Sequence, residues 1–188
     1  MHKNDTCKGF TLPELLVSIS VLGILLTTAV PAMNSFVKNN RITARVNSVM
    51  ESVHYARSEA TKRGTRVIIC RSADPTLATP TCSGTANTWT TGYIIFADDG
   101  NNTNNVFDTG TDTLLRAGSP GIADVALLTN GVMDNNLEFN PDGTTNEAGN
   151  TAIMAICDDR GTSHGRQITI PPSGIPRMIS GSIADCSP

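Results

Sequence analysis

The feature that most constrains this chain is a run of 23 residues, residues 15–37, without a charged side chain. A helix of that length, at about 1.5 Å per residue, crosses the hydrocarbon core of a bilayer, which is about 30 Å thick. Lys3 and Lys8 precede the run, and cationic flanks stay on the cytoplasmic side of a membrane. The sequence therefore predicts a single-pass membrane protein whose N-terminus is cytoplasmic and whose remaining chain is exported.

Glu14 is the one charged residue between positions 10 and 37. An unpaired carboxylate near the centre of a membrane costs roughly 2.5–3.5 kcal/mol on insertion scales. If the chain is cut between Gly9 and Phe10, the new α-amino group lies four residues from Glu14 and can neutralise it, on the same chain or on a neighbour. If the chain is not cut, Glu14 lies at the level of the lipid headgroups and is solvated. A secretory signal peptide is disfavoured, because proline interrupts the candidate cleavage site at residues 29–32.

The polarity changes directly after residue 37. Apolar or small residues then recur at alternating spacings of four and three, which is one stripe of an amphipathic helix over residues 38–64. The stripe consists of Ile42, Val46, Val49, Val53, Ala56 and Ala60. Gly64 is a suitable C-terminal stop, so the sequence predicts one helix that is apolar in its first half and amphipathic in its second.

The remainder of the chain contains short apolar or alternating runs that are separated by turn sequences. We expect strands at residues 65–71, 92–97, 113–116, 125–128, 136–139, 151–157, 166–170 and 176–179. Closely spaced short strands after one long helix favour an α+β fold, in which the helix packs on an antiparallel β-sheet head.

Charge is distributed unevenly along the exported part. Residues 38–71 carry eight basic and two acidic side chains, a net charge of +6, whereas residues 72–188 carry four basic and thirteen acidic ones, a net charge of −9. The acidic side is either a solvated surface or a surface complementary to the basic helix of a neighbouring copy. The overall charge of −3 and the aromatic content of 4% disfavour a basic nucleic-acid binder and a base-stacking platform.

Cleavage after Gly9 would leave four of the five cysteines, and export makes disulfides permissible. Four thiols allow three pairings, and we favour Cys70–Cys82 together with Cys157–Cys186 because each bridge closes a local loop. A bridge across about 13 residues stabilises a fold by roughly 3 kcal/mol in the loop-entropy model. The alternative, a four-cysteine zinc site, is disfavoured because no CxxC-like pair occurs.

Residues 98–112 are rich in Asp, Asn and Gly, which serve both as calcium ligands and as the ordinary residues of long turns. The spacing is not that of an EF-hand, so a turn is favoured over a calcium site. The adjacent acids at positions 98–99 and 158–159 resemble catalytic pairs only superficially, and we expect them to be solvated in loops.

No motif in the chain indicates catalysis. His2, His54 and His164 have no partner at catalytic or metal-binding spacing. The sequence also lacks a nucleophile elbow, a zinc-protease helix motif and a phosphate-binding loop. We therefore expect no enzyme activity, no metal and no cofactor.

Residues 8–16, with the sequence KGFTLPELL, resemble the prepilin peptidase signal of type IV pilins and type II secretion pseudopilins. Pro31 matches the proline that kinks the membrane helix in that family. The resemblance implies that prepilin peptidase cleaves between Gly9 and Phe10, and that Phe10 becomes N-methylated. It also implies that Glu14 is the assembly residue.

The head resembles the GspH/FimT family of minor pilins and pseudopilins. The stretches that carry this resemblance are residues 67–72 (VIICRS), Trp89, residues 92–98 (GYIIFAD), residues 114–116 (LLR), residues 139–143 (FNPDG) and a late run ending at Cys157. The resemblance implies a type IV pilin-like fold. It also implies a non-enzymatic subunit of the cell inner membrane with a periplasmic head, which is later built into a fibre with other minor and major pilins or pseudopilins.

Four segments follow from this interpretation. Residues 1–9 are the prepilin leader peptide, and residues 10–37 are the transmembrane and assembly helix. Residues 38–64 are the amphipathic second half of that helix, and residues 65–188 are the periplasmic head.

Three destinations compete within this family. We favour a minor pilin that primes or caps a type IV pilus, because two cysteine pairs in the head resemble pilus-type members more than secretion-type ones. The alternative is the H-type pseudopilin of the type II protein secretion system.

The second alternative is a DNA-binding minor pilin for natural transformation. Some FimT-like members bind DNA through a Gly-Arg-x-Arg motif near the C-terminus, and the aligned residues 174–177 keep only Arg177. Each lost phosphate contact removes affinity, so DNA is a disfavoured partner. Arg160, Arg166 and Arg177 are the candidate contacts if DNA binds at all.

Overall fold

The computed structural model describes residues 9–84, 87–100, 105–118, 122, 124–133, 135–146, 149–180, 183 and 186 of the 188-residue chain. Lys3, Lys8, His2 and the rest of the expected leader up to residue 8 lie outside the described residues, as do residues 101–104 of the candidate calcium loop. The chain divides into two compact units, Met1–Lys38 and Asn39–Pro188.

Helix α1 (Leu12–Arg63) makes up most of the described first unit and ends in the second. Pro31, the expected kink residue, lies inside the helix. The large apolar side chains of the first unit are exposed by between 36% and 81%. By length and composition alone, α1 contains a stretch that is apolar enough to cross a membrane.

In the second unit α1 buries the stripe that the spacing predicts. Ile42, Val46 and Val49 are at most 2% exposed, and the three later members of the stripe are fully buried. The helix ends as expected at Gly64, which has a left-handed φ of 67° and donates its N–H to the carbonyl oxygen of Ala60 at 2.9 Å.

All eight expected strands are present, and their boundaries agree with the prediction to within one residue. They are β1 (Arg66–Arg71), β2 (Tyr93–Asp98), β3 (Thr113–Ala117), β4 (Ala126–Thr129), β5 (Asn136–Phe139), β6 (Ala152–Cys157), β7 (Arg166–Ile170) and β8 (Arg177–Ser180). A short 3₁₀ helix, Gly131–Met133, precedes β5 and was not predicted.

The strands form two antiparallel sheets of four strands each, in the orders β3-β2-β1-β5 and β4-β6-β7-β8. The sequence did not predict this division. One hydrophobic core holds both sheets and the helix together, since it contains the α1 stripe, Val67, Ile69 and Leu137 of the first sheet, and Leu127, Ile156 and Ile168 of the second. The indole of Trp89, which lies outside the strands, is fully buried in the same core.

Each disulfide lies on the face of a sheet that points away from this core. Cys70 and Cys82 are bonded and belong to a second apolar cluster on the first sheet, together with Phe96 and Phe107. Cys157 and Cys186 are bonded, and they belong to a third cluster on the second sheet. Both bonds are the pairs that the sequence favoured, and Cys82 and Cys186 each pack against the apolar cluster of their sheet.

Two turns and the helix meet at one tight contact. Arg57 Nε of α1 donates a hydrogen bond to the carbonyl oxygen of Gly143 at 3.0 Å. Gly174 has a φ of 71°, and a Cβ built on it would lie 2.1 Å from that same carbonyl oxygen. Only glycine therefore fits at position 174, on grounds of both backbone conformation and space.

We expect Gly174→Ala to destabilise the protein by about 2–4 kcal/mol, because it adds a steric clash to the cost of a left-handed residue. Gly161→Ala is the matched control, since Gly161 has a φ of 75° and open space around its Cα, and it should cost only about 1 kcal/mol. Urea unfolding followed by the fluorescence of Trp89, the single tryptophan, measures both. Equal losses in the two variants would contradict this account of the contact.

Candidate functional site

The segment around the expected cleavage position forms the start of α1. Gly9 and Phe10 precede the helix, and the Phe10 side chain is 81% exposed. Thr11 is the N-cap, because its carbonyl oxygen accepts the Leu15 N–H at 3.1 Å. Gly9 and Phe10 therefore lie outside the helix, in a stretch of chain that an external protein can reach.

Glu14 lies three residues after this N-cap. The Thr11 hydroxyl is 3.5 Å from Glu14 Oε2, and the Thr-x-x-Glu spacing is that of a capping box. A carboxylate in the first turn is also favoured by the positive end of the helix dipole. The structure thus places Glu14 in the turn that follows Phe10. The sequence analysis missed the N-cap position of Thr11, although the Thr-x-x-Glu spacing could have indicated it.

Three hydroxyl groups of the apolar run form hydrogen bonds within the helix. Ser18 donates to the carbonyl oxygen of Glu14 and Ser20 to that of Leu16, both at 2.8 Å. Thr27 donates to the carbonyl oxygen of Ile24 at 2.7 Å. Such back-bonding lets hydroxyl side chains lie in an apolar environment without an external partner.

We searched the described part of the head for a group of side chains that could bind a metal ion. No three His, Cys, Asp or Glu side chains there come together to hold a metal ion. His54 and His164 are both exposed.

Asp98 corrects an expectation, because it is buried rather than solvated. Its side chain is 2% exposed and forms an ion pair with Arg66, which also contacts Glu138 Oε1 at 2.9 Å. Burial raises the pKa of Asp98, and nearby Asp112 adds to the rise while Arg66 opposes it. The neighbouring Asp99 is exposed, as expected.

These ion pairs line a cleft of about 650 Å³ beside the end of α1. Asn146 Nδ2 donates to Glu138 Oε2 at 3.2 Å, so both oxygens of Glu138 have partners. Because the Arg66 guanidinium contacts the carboxylates of both Asp98 and Glu138, the group links β1, β2 and β5.

Asp158, which follows β6 of the second sheet, was also expected to be solvated and is instead buried. Its side chain is 2% exposed and lies 2.6 Å from Nη2 of Arg160, whereas Asp159 is exposed. The Arg160 guanidinium, one of the three candidate DNA contacts, is therefore held by a buried carboxylate.

The other two candidate DNA contacts lie on opposite faces of the sheet β4-β6-β7-β8. Arg166 shares the face of Ile168 and Ile170, since alternate residues of β7 point the same way. Arg177 pairs with Thr169, which belongs to the other face, and its side chain is exposed. The structure thus does not bring Arg166 and Arg177 together into one basic patch.

Two family models match the sequence. Residues 45–174, more than half of the chain, match the model of type II transport protein GspH. Residues 4–30 match the model of the prokaryotic N-terminal methylation motif. No curated protein matches the chain significantly.

Two crystal structures of the type IV minor pilin FimU from Pseudomonas aeruginosa are similar to this chain. One has a TM-score of 0.55 at 21% identity and covers 77% of this chain and 98% of its own. The other has a TM-score of 0.57 at 22% identity and covers 81% of this chain and 98% of its own. The likeness shows that the fold is type IV pilin-like, as the sequence analysis expected.

Because Arg166 and Arg177 lie on opposite faces and Arg160 is paired with Asp158, we expect no specific binding of duplex DNA. In a gel-shift titration of the full chain in detergent micelles, with a 30-base-pair duplex at about 150 mM salt, no saturable complex should form. A salt-sensitive complex that Arg177→Ala abolishes would overturn this expectation. Lys62→Ala is the matched control, since it removes an exposed cation from the helix instead.

Proposed function

Because the chain belongs to the family of type II transport protein GspH, a family of minor pilins and pseudopilins, we propose that it is a non-enzymatic assembly subunit of a type IV pilus. The observation that carries the proposal is the start of α1. There an accessible Gly9-Phe10 pair is followed by a helix that has one carboxylate in its first turn and large apolar side chains exposed by between 36% and 81%.

The proposal gives each segment one task. Residues 1–9 form the leader that prepilin peptidase removes, and the enzyme then methylates the new N-terminal Phe10. Residues 10–37 hold the subunit in the inner membrane with residues 65–188 in the periplasm, and residues 38–64 connect the two as the amphipathic half of the helix. Lys3 and Lys8 of the leader support this orientation, because basic residues that flank a membrane helix stay on the cytoplasmic side.

During assembly the first half of α1 leaves the lipid bilayer and packs among other helices. Its apolar side chains contact lipid before assembly and the helices of neighbouring subunits afterwards. Lipid tails are as apolar as leucine, so packing and polar contacts decide between the two states. Glu14 is the acidic group available for such a contact, and the methylated amine of a neighbouring subunit is the cation that suits it.

The disulfides of the head bear on the position of the subunit in the fibre. We favour a minor pilin that primes or caps the pilus, since its head carries two disulfide-bonded pairs and resembles pilus-type members in that respect. The H-type pseudopilin of the type II secretion system is the second candidate, favoured by the description of the family model that matches the head.

The first prediction of this proposed function concerns proteolytic processing of the leader. In a host with prepilin peptidase, intact mass and N-terminal sequencing should find a chain that starts at N-methylated Phe10. In a host without the enzyme the full leader should remain. A cut after residue 32 in either host would contradict the proposal and would indicate an ordinary secretory signal.

Assembly is the second prediction. Glu14→Ala should remain in the membrane fraction and be processed, but it should be lost from sheared fibres by about tenfold or more, because it cannot pair with a neighbour's amine. Ser20→Ala is the matched control, since the Ser20 hydroxyl bonds only its own helix.

A strain that lacks the whole chain distinguishes the two destinations. Loss of surface fibres with intact protein export supports the pilus, and loss of export with intact fibres supports the secretion system.

Normal fibre incorporation of Glu14→Ala would overturn the assembly role proposed for Glu14.

A further inference from the structure

The first sheet carries a second, smaller cleft. Its volume is about 300 Å³, at the lower end of small-molecule sites. Its lining consists of Arg71 at the end of β1, Asn136 at the start of β5, and Cys82, Asn105, Val106 and Asn135 from the loops around them.

The walls of this cleft are fixed by covalent and backbone bonds. Cys82 is joined to Cys70 of β1 by a disulfide. The Arg71 N–H donates to the carbonyl oxygen of Asn135 at 3.2 Å, and the Arg71 carbonyl oxygen accepts from the Ser83 N–H at 3.0 Å. The part of the cleft formed by Arg71, Cys82 and Asn135 is therefore held in place by bonds within the protein, which reduces the entropy lost on binding.

Three side-chain amides in the lining have hydrogen-bonding capacity to spare. Asn105 Oδ1 is buried without a donor in the described structure. Within the same described residues, the amides of Asn135 and Asn136 form no hydrogen bond, although the backbone of Asn135 does. Each amide offers two donors and one acceptor, and a buried polar atom without a partner is unfavourable.

The other lining residues, Val106, Cys82 and Arg71, indicate which class of ligand the cleft can bind. Val106 is 44% exposed and, with the sulfur of Cys82, provides an apolar surface. Arg71 brings a positive charge, and none of the described lining residues carries a carboxylate, which disfavours cations and metal ions. Among the same described residues there is also no aromatic ring on which a nucleic-acid base could stack.

We propose that this cleft binds a single sugar residue. A pyranose carries hydroxyl groups that both donate and accept, which matches three amides, and C–H groups that suit the Val106 side of the cleft. This binding role is independent of assembly through the N-terminal segment, and it would give the subunit affinity for carbohydrate.

The test is saturation-transfer difference NMR on the full chain in phosphocholine micelles, because maltoside and glucoside detergents would themselves compete. The probes are D-glucose, D-galactose, D-mannose, N-acetyl-D-glucosamine and D-galacturonate. We expect at least one to bind with a Kd of about 1–10 mM, which is typical of a site with few polar contacts. The same sugar presented at the end of an immobilised glycan distinguishes a surface glycan from a small diffusible ligand.

Matched variants assign the binding to this cleft. The double variant N105G/N135A removes two amides, and glycine at position 105 keeps the left-handed φ of 52°. It should weaken binding at least about fivefold, the effect of one lost hydrogen bond. Asn150→Ala, at an exposed asparagine outside the cleft, should leave the affinity unchanged.

Two results would overturn the proposal. One is the absence of saturation transfer to all five sugars. The other is an unchanged affinity in the double variant. If that variant loses its cooperative unfolding transition, Asn135→Ala alone decides the question, since Asn135 is exposed and its side chain forms no hydrogen bond in the described structure.

Discussion

The burial of one stripe of helix α1 against both sheets is the contact on which the second unit depends. The stripe begins with Ile42 and ends with Ala60, so its side chains become smaller towards the end of the helix. Because protein interiors are close-packed, the surrounding chain must approach the helix more closely there. The turn at Gly143 does so, since a Cβ at that position would lie 3.2 Å from both Arg57 and Thr61.

The sequence was sufficient to predict the secondary structure but not the arrangement of the strands. The helix and its end follow from local spacing and from Gly64, and each strand follows from a short apolar run between turns. Partner choice depends instead on contacts between distant residues. Val67 of β1 pairs with Ala97 of β2 and with Phe139 of β5, and no local pattern assigns β5 rather than β4 to that sheet.

The candidate site divides in the same way. The assembly segment is a linear motif, so Gly9, Phe10 and Glu14 could be identified from the sequence. The burial of Asp98 could not, because its neighbours in sequence are those of a turn. Its partner, Arg66, lies opposite it in the register of β1 and β2, and that register becomes known only with the fold. Cross-strand pairing of opposite charges at two strand ends was the signal available.

The two halves of α1 meet different surroundings, and this gives Glu14 its importance in the proposed assembly. The hydroxyls of Ser18, Ser20 and Thr27 are already bonded to the helix backbone, so they change little between lipid and protein. The leucines and valines around them also meet similar apolar surroundings in both states. A carboxylate does not, since its free energy depends strongly on whether a cation lies beside it. The balance between membrane and fibre therefore depends on Glu14 more than on any single apolar residue of this segment.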